Sequence, residues 1–472
     1  MQKKLFKNIS ANILQQIANQ LFSLVIFYVL SRQLSKPGFG QLNGCLALLL
    51  ICFSILSFGL DQLTVKKIAA GESPSTIVSL YMIHILGMGA LFYSLLAMIW
   101  LLFPAQPLLP VIFLLSLGKF QSFIATPYKQ VTAGREQFST LAGMSIVSNV
   151  VKGIALVIAQ ALHSIQLHTV IVLFILGDTA ELLCTLYLYH RHSIQSIRFV
   201  PDKKAYSLLL REALPQLGIV ICTAILSRFD WLLLGIAVSD TQLAEYSFAY
   251  KVYEIITLPL LAIAPLLIPR FVQHYQQQRK DLSGIYAILR LEMLIASFLI
   301  VITNMLWTPL VDLVTAGKYG AVNSNTILIL TFCTPLLYVS NVLWTSGFAQ
   351  HRLQGLLAVI AITCAVNIAG NCLLIPLLQK EGAALACLLS LLVQTVLYFR
   401  QDRQIRFARV SYAIVCHPLC ALTSIILVRL TPLAFIPALA AAIILYILLA
   451  SLCGLRTKKE FSLVSHFLTA DT

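Results

Sequence analysis

The sequence predicts an all-α, polytopic membrane protein, and three observations support this. Of its 472 residues, 59% are hydrophobic and only 11% are charged, whereas a soluble domain carries about 25% charged residues. The mean hydropathy is +0.88. Long apolar segments recur along the chain, and Lys and Arg are concentrated in every second connection between them. This composition excludes secreted, cytosolic and disordered proteins.

Segments of roughly 18–25 apolar residues are long enough to cross the hydrocarbon core of a bilayer. The sequence predicts fourteen such helices, at 12–31, 42–61, 78–102, 107–126, 139–161, 168–189, 213–237, 243–268, 287–307, 325–346, 354–376, 382–399, 410–430 and 433–453. Their connections are short, so no loop is large enough to fold as a catalytic domain. The first segment lacks a small-residue cleavage site and contains Asn19 and Gln20, which indicates a retained helix with one polar face rather than a signal peptide.

The distribution of basic residues predicts the orientation. With the N-terminus in the cytoplasm, cytoplasmic segments hold 23 Lys and Arg residues, the opposite side holds 5, and 5 lie within the apolar segments. Basic residues collect in cytoplasmic loops of membrane proteins. Both termini are therefore predicted to be cytoplasmic, and the net charge of +15 needs no nucleic acid to explain it.

Cysteine and histidine give no sign of a metal or redox site. The eleven cysteines are scattered singly in or beside apolar segments, no C-x-x-C pair occurs, and the nine histidines are dispersed. Cysteine in such positions acts as a small hydrophobic residue. We predict no metal site and no cofactor.

A weak internal repeat predicts two lobes. When residue 12 is aligned with residue 216, both copies show a long helix, a short outer turn, a second long helix and a basic inner end, at Lys66 and Arg270. Transporters are often built from such repeats. The prediction is two pseudo-symmetric six-helix lobes, at 1–210 and 211–405, followed by two further transmembrane helices and a cytoplasmic tail at 406–472.

Three stretches resemble one family of carriers. The segment 30–42 is similar to a family turn of the form R-x-L-G-P-x-x-F-G, and 228–230 followed by 244–251 is similar to a D-x-x-x-x-G … G-x-Y-x-x-A-x-K run. The stretch 367–384 is similar to N-x-x-x-N-x-x-L-I-P … G-A-A. The chain therefore resembles the polysaccharide flippases of the multidrug/oligosaccharidyl-lipid/polysaccharide exporter superfamily, the translocases of O-antigen and capsule repeat units.

The resemblance implies a non-enzymatic function. Members of this family move a polyprenyl-diphosphate-linked oligosaccharide from the cytoplasmic to the outer leaflet by alternating access, without ATP hydrolysis, for surface polysaccharide and lipopolysaccharide assembly. The expected location is the bacterial inner membrane. The expected partners are the lipid-linked oligosaccharide, membrane lipids and other export components such as a glycan polymerase, with no nucleic acid.

Ionisable side chains inside the apolar segments are the candidate site, because each costs at least about 2.5–3.5 kcal/mol to insert. Diphosphate is bound best by Arg or Lys, so the candidate substrate-binding cations are Arg228, Lys119, Lys152, Lys251 and Arg290. The candidate coupling or charge-balancing acids are Asp178, Glu181, Asp230 and Glu254.

Internal pairing is the alternative interpretation of these charges. Lys251 and Glu254 stand three residues apart and can share a helix face, and Asp178 or Glu181 can neutralise Lys119 or Lys152 in the same lobe. The other interpretation is that repulsion between Asp178 and Glu181 favours binding of a proton or a sodium ion by one of them, which an ion-coupled carrier would use.

Two other functions compete with the flippase. An ion-coupled multidrug or small-molecule exporter of the same superfamily is expected to have an acidic, aromatic cavity rather than a cationic one. A membrane-embedded glycan polymerase or ligase is expected to have a large extracytoplasmic loop or clustered catalytic acids, and the sequence has neither. No G-x-x-x-x-G-K-[ST] motif occurs, so ATP-driven transport would need a separate subunit.

The predicted orientation has a direct test. In a background without native cysteines, Gln278→Cys is expected to react with an impermeant maleimide only from the cytoplasmic face, and Val322→Cys only from the outer face. Labelling is measured in right-side-out and inverted vesicles. Reaction from the reverse faces would overturn the orientation.

Overall fold

The computed structural model describes residues 2–192, 202–277, 281–402, 404–452, 460 and 462–464, with side chains for all of these except 2–17, 192, 261–266 and 269. Within these ranges the chain forms helices and no strand. The α-helices are α1 (Gln2–Gln33), α2 (Lys36–Leu56), α3 (Leu60–Ala69), α4 (Pro74–Leu102), α5 (Leu108–Gly134), α6 (Phe138–Ala161), α7 (Leu167–His192), α8 (Lys203–Ala237), α9 (Asp240–Ile256), α10 (Leu258–Gln276), α11 (Ser283–Thr315), α12 (Ser324–Ala349), α13 (Leu353–Gln401), α14 (Ser411–Arg429) and α15 (Phe435–Leu452).

The all-α membrane fold is confirmed. Eleven helices within the described ranges are long and apolar enough to cross a membrane. Each of the fourteen predicted segments coincides with one helix or with parts of two. The number of membrane crossings, fourteen, stays a prediction. Of the two positions chosen for labelling, Val322 is exposed before α12, whereas Gln278 lies outside the described residues.

The chain divides into two compact units, Met1–Gly235 and Ile236–Thr472. In the first unit α5 is central and packs against α2, α3, α4, α6 and α7, while α1 packs against α6. In the second unit α12 is central and packs against α9, α10, α11 and α13, while α14 and α15 pack against α11. The lobe boundaries at 210 and 405 stay a prediction.

The predicted span 42–61 is divided where α2 ends and α3 begins. Phe58 and Gly59 both have left-handed backbone, with φ values of 57° and 74°, and glycine adopts that conformation without strain. The break brings Gly59 against α8, where a Cβ atom would lie 2.7 Å from Gln216 Cβ and 2.9 Å from Leu217 N. The helix break thus allows close packing of the chain onto α8.

Two polar contacts also hold the N-terminal half of α8 within the first unit. His84 Nδ1 lies 2.9 Å from the Tyr206 hydroxyl, and Lys67 Nζ lies 2.8 Å from Glu212 Oε2. Burial alone lowers the pKa of Lys67, but the carboxylates of Glu212 and Glu72 outweigh burial, so the pKa of Lys67 is raised.

The predicted span 243–268 is also divided, at Thr257 between α9 and α10. Proline lacks a backbone N–H and favours the first turn of a helix. Pro259 occupies that position in α10, and the Thr257 hydroxyl donates to the Glu254 carbonyl at 2.7 Å. Pro215 and Pro335, by contrast, lie inside continuous helices, α8 and α12.

Helix α13 is a hairpin of two antiparallel arms rather than one rod. Gln379 has non-helical backbone, with φ 52° and ψ −126°. Arg352 Nη1 donates to the Gln401 carbonyl at 2.7 Å, and Asn367 Nδ2 donates to Ser390 Oγ at 3.3 Å. These contacts join the start of α13 to its end, so the two predicted spans at 354–376 and 382–399 are its two arms.

The hairpin turn predicts a strict requirement for glycine at position 382. A Cβ atom there would lie 2.5 Å from the carbonyl carbon of Leu374 and 2.9 Å from Ile375 N. Gly382→Ala is therefore expected to lower the free energy of unfolding by about 1–3 kcal/mol, measured as a lower melting temperature in detergent. The control is Gly218→Ala in α8, where nothing lies within 4 Å, and which is expected to leave the melting temperature unchanged or higher because Ala favours helix. Equal stability of the two variants would contradict the packing argument.

Candidate functional site

Five charged side chains from three neighbouring helices form one cluster in the first unit. Lys119 and Lys129 lie on α5, Lys152 on α6, and Asp178 and Glu181 on α7. These helices pack directly against one another. We call these five residues the unit 1 charge cluster; it holds three cations and two anions.

The most buried pair of the cluster joins α6 to α7. Lys152 Nζ lies 2.5 Å from Asp178 Oδ1, and the two residues are only 6% and 2% exposed. The same carboxylate oxygen accepts a hydrogen bond from Ser148 Oγ at 2.9 Å. The lysine also lies over the Phe174 ring, 5.0 Å from its centroid. The predicted pairing of Asp178 with a lysine of its own lobe is present in the structure.

Two glycines make room for this pair. A Cβ atom at Gly118 would lie 2.8 Å from Asp178 Oδ2, and one at Gly177 would lie 2.8 Å from Lys152 Cε. Any larger side chain at these positions would displace a charged group. The helices therefore approach closely where the ion pair forms.

The second acid of the cluster, Glu181, is paired with Lys129, which lies outside the predicted membrane spans. Glu181 forms an ion pair with Lys129 and accepts a hydrogen bond from Ser122 Oγ at 3.2 Å. The span predicted from the sequence ends at residue 126, which leaves Lys129 in the cytoplasmic connection that follows and only Lys119 and Lys152 as candidate partners. Helix α5 continues to Gly134, so Lys129 lies within it and pairs with Glu181 of α7.

Lys119 differs from the other two lysines of the cluster. It is half-buried, and within the described residues no carboxylate lies within 4 Å of its ammonium group and it donates no hydrogen bond. Its charge nevertheless acts on both Asp178 and Lys152. Because the two acids of the cluster already bind other lysines, the positive charge of Lys119 is the surplus charge of the cluster.

Uncharged polar groups lie close to the cluster on the same helices. Thr179 Oγ1 donates to Gln121 Oε1 at 2.6 Å. Asn149 Nδ2 donates to Asn19 Oδ1 at 3.2 Å, which joins α6 to α1. Asn19 belongs to the polar face that the sequence predicts for the first helix.

Arg228 and Asp230 lie near the end of α8. Arg228 Nη1 donates to the Ser227 carbonyl at 2.7 Å, and its guanidinium lies 4.4 Å from the centroid of the Trp231 ring. Asp230 is buried and accepts a hydrogen bond from Trp231 N at 2.9 Å. Trp231, which no motif in the sequence indicates, stacks on the arginine by a cation–π contact.

The predicted pair in the second unit is present. Lys251 Nζ lies 3.0 Å from Glu254 Oε2, three residues further along the chain. The pairing of neighbours on one helix face follows from helix geometry. This lysine is therefore neutralised within its own helix.

Arg290 contacts the C-terminal segment. Its Nη1 lies 2.8 Å from Glu460 Oε1, and its Nη2 donates to the Arg409 carbonyl at 3.3 Å. Two residues further along α11, Glu292 is 3% exposed, and neither of its carboxylate oxygens has a hydrogen-bond partner among the described residues. Arg290 and Glu292 thus lie in different surroundings despite their proximity in sequence.

A buried ion pair that no sequence pattern indicates lies at the turn of α13. Lys380 forms an ion pair with Glu245 of α9 and donates to the Val322 carbonyl at 2.8 Å. The carbonyl of Glu245 in turn accepts from Asn323 Nδ2 at 2.9 Å. Both charged residues are about as buried as the Lys152 pair. Burial, and then the charge of Glu245, raise the pKa of Tyr319.

In the predicted topology Lys380 lies in the short outer connection between the spans 354–376 and 382–399. Because 135 residues separate Lys380 from Glu245, no local sequence pattern indicates that the two residues pair. Within the described residues no group of three or more His, Cys, Asp or Glu side chains is placed to hold a metal ion.

Long apolar helices that enclose paired charges and polar groups define a multi-pass integral membrane protein. The chain belongs to the family described as "polysaccharide biosynthesis protein", whose sequence profile matches residues 5–275. A comparison with curated protein sequences gives no match.

Solved structures of carriers share this fold. The lipid II flippase MurJ in an inward closed conformation superposes with a TM-score of 0.71 at 13% identity, over 93% of this chain and 98% of that one. An inward-facing MATE family multidrug resistance transporter of the MOP superfamily gives 0.66 at 13% identity, over 81% and 94%. The Vibrio cholerae MATE transporter VcmN in the bent form gives 0.54 at 13% identity, over 88% and 98%. The chain therefore has the fold of the MOP-superfamily flippases and transporters.

The Lys152–Asp178 pair predicts a characteristic pattern of stability. Removing one partner of a buried pair leaves an uncompensated charge and costs about 3–5 kcal/mol, whereas replacing both by apolar residues is often neutral. Lys152→Met and Asp178→Leu are each expected to lower the melting temperature strongly, and the double variant to recover most of the loss.

The control for this prediction is Lys67→Met, which breaks the more exposed pair with Glu212 and is expected to cost at most about 1 kcal/mol. A double variant as unstable as the sum of the two single variants would show that Lys152 and Asp178 do not depend on each other.

Proposed function

We propose that the protein is a flippase that moves a polyprenyl-diphosphate-linked oligosaccharide repeat unit from the cytoplasmic to the outer leaflet of a bacterial inner membrane. Translocation proceeds by alternating access and serves surface polysaccharide assembly, such as O-antigen or capsule. Both termini are cytoplasmic in this proposal. The family and the fold support a flippase or transporter. The substrate class is what the proposal adds.

The observation that carries the proposal is the surplus positive charge at Lys119. An ammonium group inside a membrane protein requires an anion or a hydrated surrounding. The two carboxylates of the unit 1 charge cluster are already bound by Lys152 and Lys129. A diphosphate meets this requirement, because its oxygens accept charge-assisted hydrogen bonds from Lys and Arg.

The other candidate cations have different surroundings. Lys152 and Lys251 have their own carboxylates, so we assign them to structure, with Asp178, Glu181 and Glu254 as charge-balancing acids rather than coupling groups. Arg228 stacks on Trp231, an arrangement that holds the guanidinium in one orientation, and a guanidinium matches the geometry of phosphate oxygens. We therefore assign diphosphate binding to Lys119 and Arg228.

The cationic surplus also distinguishes the flippase from the ion-coupled exporter. A carrier of cationic drugs needs an acidic surface, and the unit 1 charge cluster has one more cation than anions. A diphosphate headgroup with a hydrated glycan is the cargo class that this charge balance favours.

We expect Lys119→Ala and Arg228→Ala each to slow translocation at least about tenfold, since a charge-assisted hydrogen bond contributes roughly 1.5–3 kcal/mol. Lys119→Arg, which keeps the charge, is expected to retain activity. Translocation is measured in proteoliposomes with a fluorescent polyprenyl-diphosphate oligosaccharide and an impermeant quencher. In cells, the two alanine variants are expected to lack surface glycan at normal protein levels.

The matched control is Lys66→Ala, which removes an exposed lysine from α3 and is expected to leave translocation unchanged. Wild-type rates in both Lys119→Ala and Arg228→Ala would refute diphosphate binding by these cations. Rates that respond to a cationic drug but not to the diphosphate substrate would favour the exporter.

A further inference from the structure

A cleft of about 490 Å³ opens in the second unit, at the end where α11 and α14 finish and where α12 and α15 begin. The charge distribution predicts this end to be the outer one. None of the substrate-binding residues assigned above lines this cleft. It is a separate site, and what it binds follows from its lining.

One wall of the cleft is polar and carries a single positive charge. Arg429 ends α14 and is exposed, and within the described residues its guanidinium makes one hydrogen bond, from Nη2 to the Asn304 carbonyl at 3.2 Å, and no ion pair. Thr308 and Ser324 also line the cleft, and their hydroxyls have no hydrogen-bond partner within the described residues. This wall therefore offers one guanidinium and two hydroxyl donors.

A second wall is apolar, and large apolar side chains are exposed beside it. Met305, Leu433, Phe435 and Ala438 line the cleft. Beside them, Leu430 is 77% exposed and Ile436 is 75% exposed. Large apolar side chains exposed next to a charged group are typical of a membrane–water boundary, where hydrocarbon chains cover the apolar part.

We propose that this cleft binds one anionic phospholipid of the surrounding leaflet. Arg429, Thr308 and Ser324 bind the phosphodiester, and the apolar wall receives the acyl chains. The single guanidinium balances the one negative charge of a phosphodiester, whereas a diphosphate carries more charge than the cleft neutralises. The lipid is thus a component of the bilayer and not the translocated substrate.

The test uses the full chain in nanodiscs. Wild-type protein is expected to retain one phosphatidylglycerol after exchange into detergent, detected by native mass spectrometry, and to prefer it over phosphatidylcholine. Arg429→Ala is expected to weaken phosphatidylglycerol binding about tenfold, because a charge-assisted hydrogen bond to phosphate is lost. Thr308→Val, which preserves the shape and the charge, is expected to weaken it by a smaller factor.

The matched control is Arg32→Ala, which removes an exposed arginine bound to the Tyr28 hydroxyl at 3.0 Å and is expected to retain the lipid. Arg429→Lys keeps the charge and is expected to retain more lipid than Arg429→Ala, which separates the charge effect from misfolding. The proposal is overturned if Arg429→Ala retains the lipid like wild type, if inorganic phosphate displaces the lipid at millimolar concentration, or if a polyprenyl diphosphate displaces it preferentially.

Discussion

The free energy of placing a charge in a low-dielectric surrounding determines how this structure is assembled. An isolated ionised group is costly there, and the cost falls only when an opposite charge and hydrogen bonds meet it. In the first unit this condition ties α6 to α7 through Lys152 and Asp178, and α5 to α7 through Lys129 and Glu181. In the second unit it ties α9 to the turn of α13 through Glu245 and Lys380. Apolar packing between these helices has little direction of its own, so the ion pairs select their register.

The same constraint distinguishes two kinds of charged residue: those that a carboxylate neutralises within the fold, and those that no carboxylate of the described residues neutralises. A pair such as Lys152 with Asp178 is satisfied within the fold, and its function is structural. Lys119 and Arg429 are not satisfied by a carboxylate in the described residues, and both lie in apolar helices. In the two proposals above, Lys119 binds an anion that is carried across the membrane, and Arg429 binds an anion that stays in the membrane.

Hydropathy and helix geometry predict most of the fold but not its long-range contacts. The apolar segments and the Lys251–Glu254 pair depend on composition and on spacing along one helix, which a sequence displays directly. The break at Phe58 and Gly59 depends on contact with α8, more than 150 residues away. The partners of Glu181 and Glu245 likewise lie on other helices. Local spacing therefore predicted the wrong lysine for Glu181 and no partner for Glu245. Burial decides which charged residues pair, and a single sequence does not reveal burial.

The close contact of Gly59 with α8 also bears on motion. Together with the His84–Tyr206 and Lys67–Glu212 contacts, it fastens the start of α8 to the first unit, and that unit continues to Gly235. In the proposed alternating-access cycle, α8 therefore moves with the first unit. Arg228 lies on the same helix, so it moves with the first unit, and so does the diphosphate that we propose it binds.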